Sequence, residues 1–415
     1  MRAGRAADPA RLPSAYWRQW GATAVSNTGD GMNLAAMPLL AYSLTDDARM
    51  IAAVTFAASL PWLIFSLPIG VWIDRWDRQH TMVIANVVRA ALFAVIAVGA
   101  ATGRLGIEGL LVILVGVGIG EVLFDSTAQA FLPSIVQPEQ LPRANGILYA
   151  TEVVGNGFVG LPIGAWLFVA MIGLPFGINA ASFLLAAALI ASIRFAPGSA
   201  PTSSKLPSPF RTELSDGFRW LFASPLLLSL AMLLAAVNLG LHFGYAVFVK
   251  FAAEELGVSE RGYGLLLAVM ALGAVAGGLL GDRFAERLGS SSALLGAYFA
   301  FGMCQIAMGL ATSVWMVALI AAAEGMATTV WNVISVSLRQ RLIPKHLFGR
   351  VNGIFRWLGT GSVAIGALIG GQLAYHVDIR APFIAGGVVT LVALVVGAWP
   401  VRPAALARAE ALAAA

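Results

Sequence analysis

Long apolar runs set the strongest limit on how this chain folds. Runs of about 18 or more residues with few charges recur along the sequence, and each is long enough to cross the ~30 Å hydrocarbon core of a bilayer as a helix. The chain is 59% hydrophobic and 11% charged, whereas soluble domains carry about 25% charged residues. The composition therefore predicts an all-α, polytopic membrane protein.

The apolar runs predict twelve membrane-spanning helices in two groups of six. The stretch 196–216 between the groups is rich in proline and serine, which is typical of a flexible linker. It separates a predicted N-terminal half, 1–195, from a predicted C-terminal half, 217–415. The predicted spans are residues 17–43, 50–73, 82–102, 107–131, 144–170, 173–195, 225–249, 260–281, 291–311, 314–337, 351–375 and 381–400.

Two short motifs each occur twice. Gly-x-x-x-Asp-Arg occurs at Gly70–Arg75 and again at Gly278–Arg283, and Arg-x-Asn-Gly-Ile occurs at Arg143–Ile147 and again at Arg350–Ile354. The second copies follow the first by 208 and 207 residues. Because two unrelated motifs share nearly the same offset, we expect two pseudo-symmetric six-helix bundles.

Glycine spacing predicts close helix crossings. Small residues let membrane helices approach one another closely, and Gly116-x-Gly118-x-Gly120 and Gly366-x-x-x-Gly370 are patterns of this kind.

The distribution of Lys and Arg predicts the orientation in the membrane. With the N-terminus inside, 19 basic residues fall on the cytoplasmic side and 5 outside. Cytoplasmic loops are enriched in Lys and Arg, so both termini are expected in the cytoplasm and the protein in the cell (plasma or inner) membrane. The net charge of +5 is explained by these loops rather than by nucleic-acid binding.

Twelve spans, two halves, a central linker and a repeated charged loop together resemble the major facilitator superfamily. Ser26–Asp30 in span 1, Gly120–Pro133 at the end of span 4 and Asp216–Leu221 before span 7 are similar to its drug and siderophore exporters. The resemblance implies secondary active transport by alternating access, with the cavity between the two six-helix halves.

Polar groups inside the predicted spans are the candidate functional residues, since an intramembrane charge costs several kcal/mol unless it is paired or hydrated. For Asp30 a coupling site and a structural ion pair both stay open. For Glu121, four residues before Asp125 on the same helix face, a proton or substrate site and a partnership with Arg89 both stay open. Asn238 and His242 share a face, and a hydrogen bond between helices is their other possible role. The proton-coupling or substrate candidates are Asp30, Glu121, Glu324, Glu152, Asn238 and His242, with Arg89 and Arg356 as intramembrane charge partners.

A second group of residues is expected to form a cytoplasmic gate. The resemblance implies that Asp125 pairs with Arg75 or Arg78, and that Asp74 faces the start of span 11 after Arg350. The predicted gate residues are Gly70, Asp74, Arg75, Arg78, Asp125, Gly278, Asp282, Arg283 and Arg350.

The sequence contains no phosphate-binding glycine loop with lysine, no metal-ligand histidine spacing and no nucleophile elbow. We therefore expect a monomeric transporter rather than an enzyme, without metal or cofactor, that uses the proton gradient to export amphipathic small molecules. An importer or lipid flippase on the same fold, and a non-transporting membrane receptor, are the alternatives.

Overall fold

The computed structural model describes residues 12–69, 73, 76–194, 210–344 and 347–404, and helices make up most of them. In chain order the α-helices are α1 Ser14–Leu44, α2 Ala48–Phe65, α3 Arg78–Ala101, α4 Ile107–Phe131, α5 Leu141–Val153, α6 Leu161–Ala170, α7 Leu174–Ala191, α8 Phe210–Ala223, α9 Pro225–Tyr245, α10 Phe248–Glu254, α11 Glu260–Leu288, α12 Ser290–Leu310, α13 Val314–Leu342, α14 Phe348–His376 and α15 Ala381–Gly397.

All twelve predicted spans fall on helices, with α5 and α6 together forming the fifth. In the described chain ten helical segments are long and apolar enough to cross a bilayer. The other two spans are α1, which carries the polar stretch Ser26–Asp30, and α15, which has 17 residues. Helices satisfy every backbone hydrogen bond within one segment, as the hydrocarbon core requires. The prediction of a twelve-helix membrane protein is confirmed.

Side chains at the loop ends define where several helices begin. Asp47 accepts a hydrogen bond from the Arg49 backbone at 2.8 Å, and Asp77 accepts one from the His80 backbone at 2.7 Å. Ser259 caps α11 in the same way. Each cap satisfies a backbone N–H that has no partner inside its helix. Gly289 separates α11 from α12 with φ +81, a conformation that glycine adopts without steric cost.

Three boundaries differ from the prediction. Helix α2 ends at Phe65 rather than near residue 73. Helix α11 continues to Leu288, well past the predicted end at 281, because a helix can extend from the bilayer into water. Helix α8 begins at Phe210, so the last part of the predicted linker 196–216 is helical, while residues 195–209 lie outside the described chain.

A π-helix, Val154–Gly160, joins α5 to α6. Such wide turns are rare and occur frequently at functional sites. Its glycines lie against α1: a Cβ on Gly160 would come within 2.5 Å of the Thr28 carbonyl oxygen. The wide turn therefore brings two helix backbones close together beside the polar stretch of α1.

The chain forms two compact units. Unit 1 comprises the described parts of 1–36, 68–105 and 119–206, and unit 2 comprises those of 37–67, 106–118 and 207–415. Buried cores within them centre on Tyr16, Phe124 and Phe131 in unit 1 and on Tyr298 and Phe355 in unit 2. The units do not coincide with the predicted halves 1–195 and 217–415, and those halves stay a prediction.

The predicted glycine crossings are present within unit 2. A Cβ added to Gly370 would lie 2.1 Å from the Phe243 carbonyl oxygen, and one added to Gly366 would lie 2.6 Å from the Leu239 carbonyl oxygen. Helices α9 and α14 are therefore in backbone contact. Helices α4 and α2 also approach closely, since a Cβ added to Gly118 of α4 would lie 2.6 Å from the carbonyl oxygen of Ala58 on α2. Glycine here is required by space, not by backbone conformation.

Replacing Gly370 by alanine should destabilise the protein, because the added methyl cannot fit against the α9 backbone. We expect Gly370→Ala to cost about 1–3 kcal/mol, the range found for overpacked cores. The matched control is Gly353→Ala on the same helix, where an added Cβ meets nothing within 4 Å. Thermal unfolding of the purified proteins in detergent should separate the two, and equal unfolding temperatures would contradict the crossing.

Candidate functional site

An ion pair between α1 and α3 is the central feature of unit 1. Arg89 Nη2 lies 3.1 Å from Asp30 Oδ1 and 3.2 Å from Asp30 Oδ2. The Arg89 side chain is 3% exposed, whereas that of Asp30 is 31% exposed. The structure therefore pairs two of the predicted intramembrane charges, and leaves the acid, not the base, partly exposed at the protein surface.

Apolar groups enclose the guanidinium of Arg89. It stacks over the Phe183 ring at 3.9 Å from the ring centroid, and Phe183 packs in turn on Phe93. Glycine is required at position 120, because a Cβ there would lie 2.7 Å from Cγ of Arg89. The stem of Arg89 thus passes across α4, and its charge depends on Asp30 for compensation.

Helix α7 supplies a third polar group to the pair. Asn179 Nδ2 donates to Asp30 Oδ1 at 3.4 Å, and Ser182 donates to Asn179 Oδ1 at 2.9 Å. The approach of α7 to α1 requires Gly29, since a Cβ there would lie 2.0 Å from Asn179 Oδ1. Asp30 therefore has a fixed orientation set by side chains on two neighbouring helices.

More polar side chains lie next to the pair. Asn156 of the π-helix donates to Asn27 Oδ1 at 3.3 Å. Asn33 and Asn86 each lie three residues from a member of the ion pair, and their buried amide atoms find no partner among the described residues. Buried amides of this kind normally bond to something, so this part of unit 1 is suited to water or a polar ligand.

The other predicted acids of unit 1 lie on α4 and α5. Glu121 directly follows Gly120, which packs on the stem of Arg89, and it is half-buried. Asp125 is also half-buried one turn later, and Glu152 near the end of α5 is exposed. Whether Glu121 or Glu152 takes part in coupling stays a prediction.

In unit 2, Glu324 of α13 is 5% exposed. Gln305 of α12 donates its amide N–H to Glu324 Oε1, and no basic residue of the described chain forms an ion pair with Glu324. This acid differs from Asp30 in being deeply buried and hydrogen-bonded to a neutral group.

Three other predicted residues lie where α9 and α2 meet α14. Asn238 donates to the Leu234 carbonyl at 2.9 Å, and His242 Nδ1 lies 2.9 Å from the Asn238 carbonyl oxygen. Both hydrogen bonds are within α9, and a bond from either side chain to another helix stays a prediction. Arg356 of α14 lies over the Trp62 ring of α2, 5.5 Å from its centroid.

The predicted gate is described only in part. Gly70, Asp74 and Arg75 lie outside the described residues, so the expected contacts of Asp74 and Arg75 stay predictions. Arg78 Nη1 donates to the Ala130 carbonyl oxygen at 3.0 Å, which places it at the end of α4, the helix that carries Asp125. A cation there also complements the negative end of the helix dipole.

The second copy of the gate motif is helical rather than a loop. Gly278, Asp282 and Arg283 lie inside α11, and the two charged side chains are exposed. Arg350, at the start of α14, lies 3.8 Å from Asp216 of α8, and a Cβ added to Gly217 would lie 3.4 Å from the Cβ of Arg350. The helix that follows the predicted linker therefore reaches the start of span 11, a contact that the sequence did not reveal.

Three contributors to these sites were missed: Asn179, Ser182 and Gln305. These three side chains are neutral, whereas the site residues predicted from the sequence were mainly ionisable. The available signal was the presence of an amide or hydroxyl within an apolar run, since such groups in membrane helices commonly bond across to a neighbouring helix.

Comparison with known proteins decides the family. Residues 10–412 match the transmembrane secretion effector family, MFS_3, which covers nearly the whole chain. The chain belongs to this family. It is therefore a multi-pass membrane transporter of the major facilitator superfamily, as the repeated motifs and the twelve helices predicted.

Curated relatives of this transporter include a drug exporter and a siderophore exporter. It is 24% identical over 372 residues to the multidrug efflux pump Tap of Mycolicibacterium fortuitum, an alignment that covers 88% of this chain and 90% of Tap. It is 25% identical over 337 residues to the enterobactin exporter EntS of Citrobacter koseri, covering 78% of this chain and 77% of EntS.

Solved structures show the same fold. The nucleoside transporter NupG aligns with a TM-score of 0.73 at 11% identity, covering 93% of this chain and 98% of NupG. A bacterial homologue of the human lysosomal transporter Spinster aligns with a TM-score of 0.69 at 18% identity, covering 96% and 97%. At these identities the similarity concerns the fold alone.

Replacing one member of the Asp30–Arg89 pair by an apolar residue should destabilise the protein more than replacing both members. In Asp30→Leu the buried guanidinium loses its counter-charge, and we expect a loss of about 3 kcal/mol, the lower end for buried pairs because water reaches Asp30. The double variant Asp30→Leu/Arg89→Met should recover most of this loss. Thermal unfolding of the two single variants and the double variant measures the coupling, and strictly additive losses would show that the pair is not coupled.

Proposed function

We propose that this transporter exports small amphipathic molecules by alternating access and that inward movement of protons drives it. Two observations support the proposal. The relatives include a multidrug efflux pump and an enterobactin exporter. The main support is the Asp30–Arg89 pair, in which an intramembrane acid that is 31% exposed is bound to a base that is only 3% exposed.

Protonation of Asp30 changes the charge balance of unit 1. While Asp30 is ionised, it compensates Arg89 and the pair is neutral. A proton on Asp30 cancels the negative charge, and Arg89 then carries an unpaired charge at 3% exposure. Because an unpaired buried charge costs several kcal/mol, protonation favours a different arrangement of α1 and α3. A proton is thereby coupled to a change of conformation.

The same geometry favours cationic over anionic substrates at this site. A cation can approach the exposed oxygens of Asp30, as a proton does. An anion would have to reach Arg89, which is covered by Phe183 and by the backbone at Gly120. A proton and an amphipathic cation would then compete for one carboxylate, which is the requirement for antiport.

Glu121 is the second protonatable candidate in unit 1. Its neighbour Gly120 packs against the stem of Arg89, so a small shift of α3 along α4 would offer Arg89 a different acid. In this proposal Arg89 is shared by Asp30 and Glu121 during the cycle, and both termini lie in the cytoplasm as the 19-to-5 distribution of basic residues indicates. The protein acts as a monomer.

Asp30→Asn should abolish uphill transport but not membrane insertion. The amide keeps the size and one acceptor of the side chain but cannot take up a proton at neutral pH. In inverted vesicles, whose lumen corresponds to the outside, the wild type should accumulate ethidium only when the lumen is more acidic than the bath. Asp30→Asn, and to a smaller extent Glu121→Gln, should lose this accumulation. Dye fluorescence during an imposed pH jump gives the measurement.

The matched control is Glu108→Gln, which neutralises an exposed acid in the first turn of α4. It should transport as the wild type does. If both Asp30→Asn and Glu121→Gln retain full pH-driven accumulation, these acids are structural. Accumulation in right-side-out vesicles instead of inverted ones would establish import, and indifference to the pH gradient would exclude proton coupling.

A further inference from the structure

A small cavity in unit 2 is lined by Glu324, an acid that is not part of the ion pair. The cavity lies between α9, α10, α11, α12, α13 and α15 and has a volume of about 20 Å³. That is room for a water molecule, which occupies roughly 10–15 Å³. Apolar groups such as Met270, Met308 and Phe383 form most of the wall, and the polar groups are on Glu324, Gln305 and Tyr245.

Glu324 and Gln305 present their polar atoms to one another and to this space. The Gln305 amide N–H donates to Glu324 Oε1. The other amide atom, Gln305 Oε1, is buried and has no hydrogen-bond partner among the described residues, and Gln305 as a whole is only 2% exposed. A buried amide oxygen left in this state costs free energy, so the geometry calls for one more donor beside it.

Whether Glu324 is ionised depends on the titratable and charged groups near it. The titratable groups that face it from the packed helices are Tyr245 of α9, Cys304 of α12 and, behind Tyr245, Tyr263 of α11. Tyrosine and cysteine are neutral at physiological pH, and none of the described basic residues pairs with Glu324. An isolated carboxylate in such surroundings takes up a proton rather than remain charged.

We infer that this cavity is a hydrated proton-binding site, in which Glu324 carries a proton and one water molecule bridges its hydroxyl to Oε1 of Gln305. The hydrogen bonds then close a ring. The amide N–H donates to Glu324 Oε1, the protonated Oε2 donates to the water, and the water donates to the amide oxygen. The ring satisfies the unpartnered oxygen and leaves no buried charge.

The site differs in kind from the pair in unit 1. Asp30 lies against a base and is partly exposed, whereas Glu324 is buried beside a neutral amide. A carboxylic acid of this kind releases its proton only when its surroundings become wet or charged. Its part in transport rests on the proposed proton-coupled function, but the bound proton itself does not, so the two can be tested separately.

The test is infrared difference spectroscopy of the purified protein in lipid at neutral pH, without substrate. We expect the stretching band of a protonated carboxyl group, shifted on exchange into D₂O, and we expect Glu324→Gln to remove it. The matched control is Asp30→Asn, which should leave the band intact because that acid is ion-paired. Gln305→Leu, which removes the hydrogen-bonded ring without touching the acid, should shift the band and not abolish it.

Several outcomes would overturn the site. A wild type without the band would show that Glu324 is ionised, and a band that survives in Glu324→Gln would belong to another acid. Loss of the band on adding sodium chloride would make the cavity a metal-cation site. An unshifted band in Gln305→Leu would exclude the water-bridged ring. If Glu324→Gln does not fold, the shift of the band in Gln305→Leu tests the site in its place. Transport that ignores the pH gradient while the band behaves as expected would refute the coupling and leave the proton site standing.

Discussion

The cost of an unsatisfied polar group in hydrocarbon governs this structure from the backbone to the candidate sites. It requires the spans to be helical, and it requires each intramembrane side-chain charge to be neutralised. The chain meets the second requirement in two ways. Asp30 is neutralised by Arg89, with Asn179 as a further donor, while Glu324 lies beside the neutral amide of Gln305. These two solutions respond to protons in opposite senses, because protonation creates a charge at the first and removes one at the second.

Contacts of several kinds join α2 to α14 within unit 2. Helix α2 packs along α14, where the Trp357 indole N–H donates to the Leu63 carbonyl oxygen at 2.9 Å and Arg49 lies over the Tyr375 ring at 3.7 Å. Gly371 lets the two backbones approach, since a Cβ there would meet Ala52 at 2.6 Å. The seam therefore combines a hydrogen bond, two cation–π contacts and a close glycine crossing.

The sequence predicted the spans well because their signal is local: an apolar run of sufficient length specifies a helix by itself. It also drew attention to the intramembrane charges, since any ionisable group in such a run is exceptional; which of them take part in transport stays a prediction. It did not determine that Arg89 belongs to Asp30, because that choice depends on how α1, α3 and α7 pack and on Gly29, which admits Asn179. The π-helix and the contact of Asp216 with Arg350 were missed for the same reason, since both depend on distant helices.

The sign of the charges limits what an exporter with this site can exchange. The exposed member of the ion pair is an anion, so both species that bind it are positive: a proton or the cationic part of a substrate. In the proposed cycle a bound cation displaces Arg89 from Asp30, so Arg89, at 3% exposure, is uncompensated only while a cation occupies the site. When that cation leaves, Asp30 and Arg89 pair again and neither charge stays unpaired. The ion pair thus serves as the resting state between two occupied states, and its stability sets how readily either cation displaces Arg89 from Asp30.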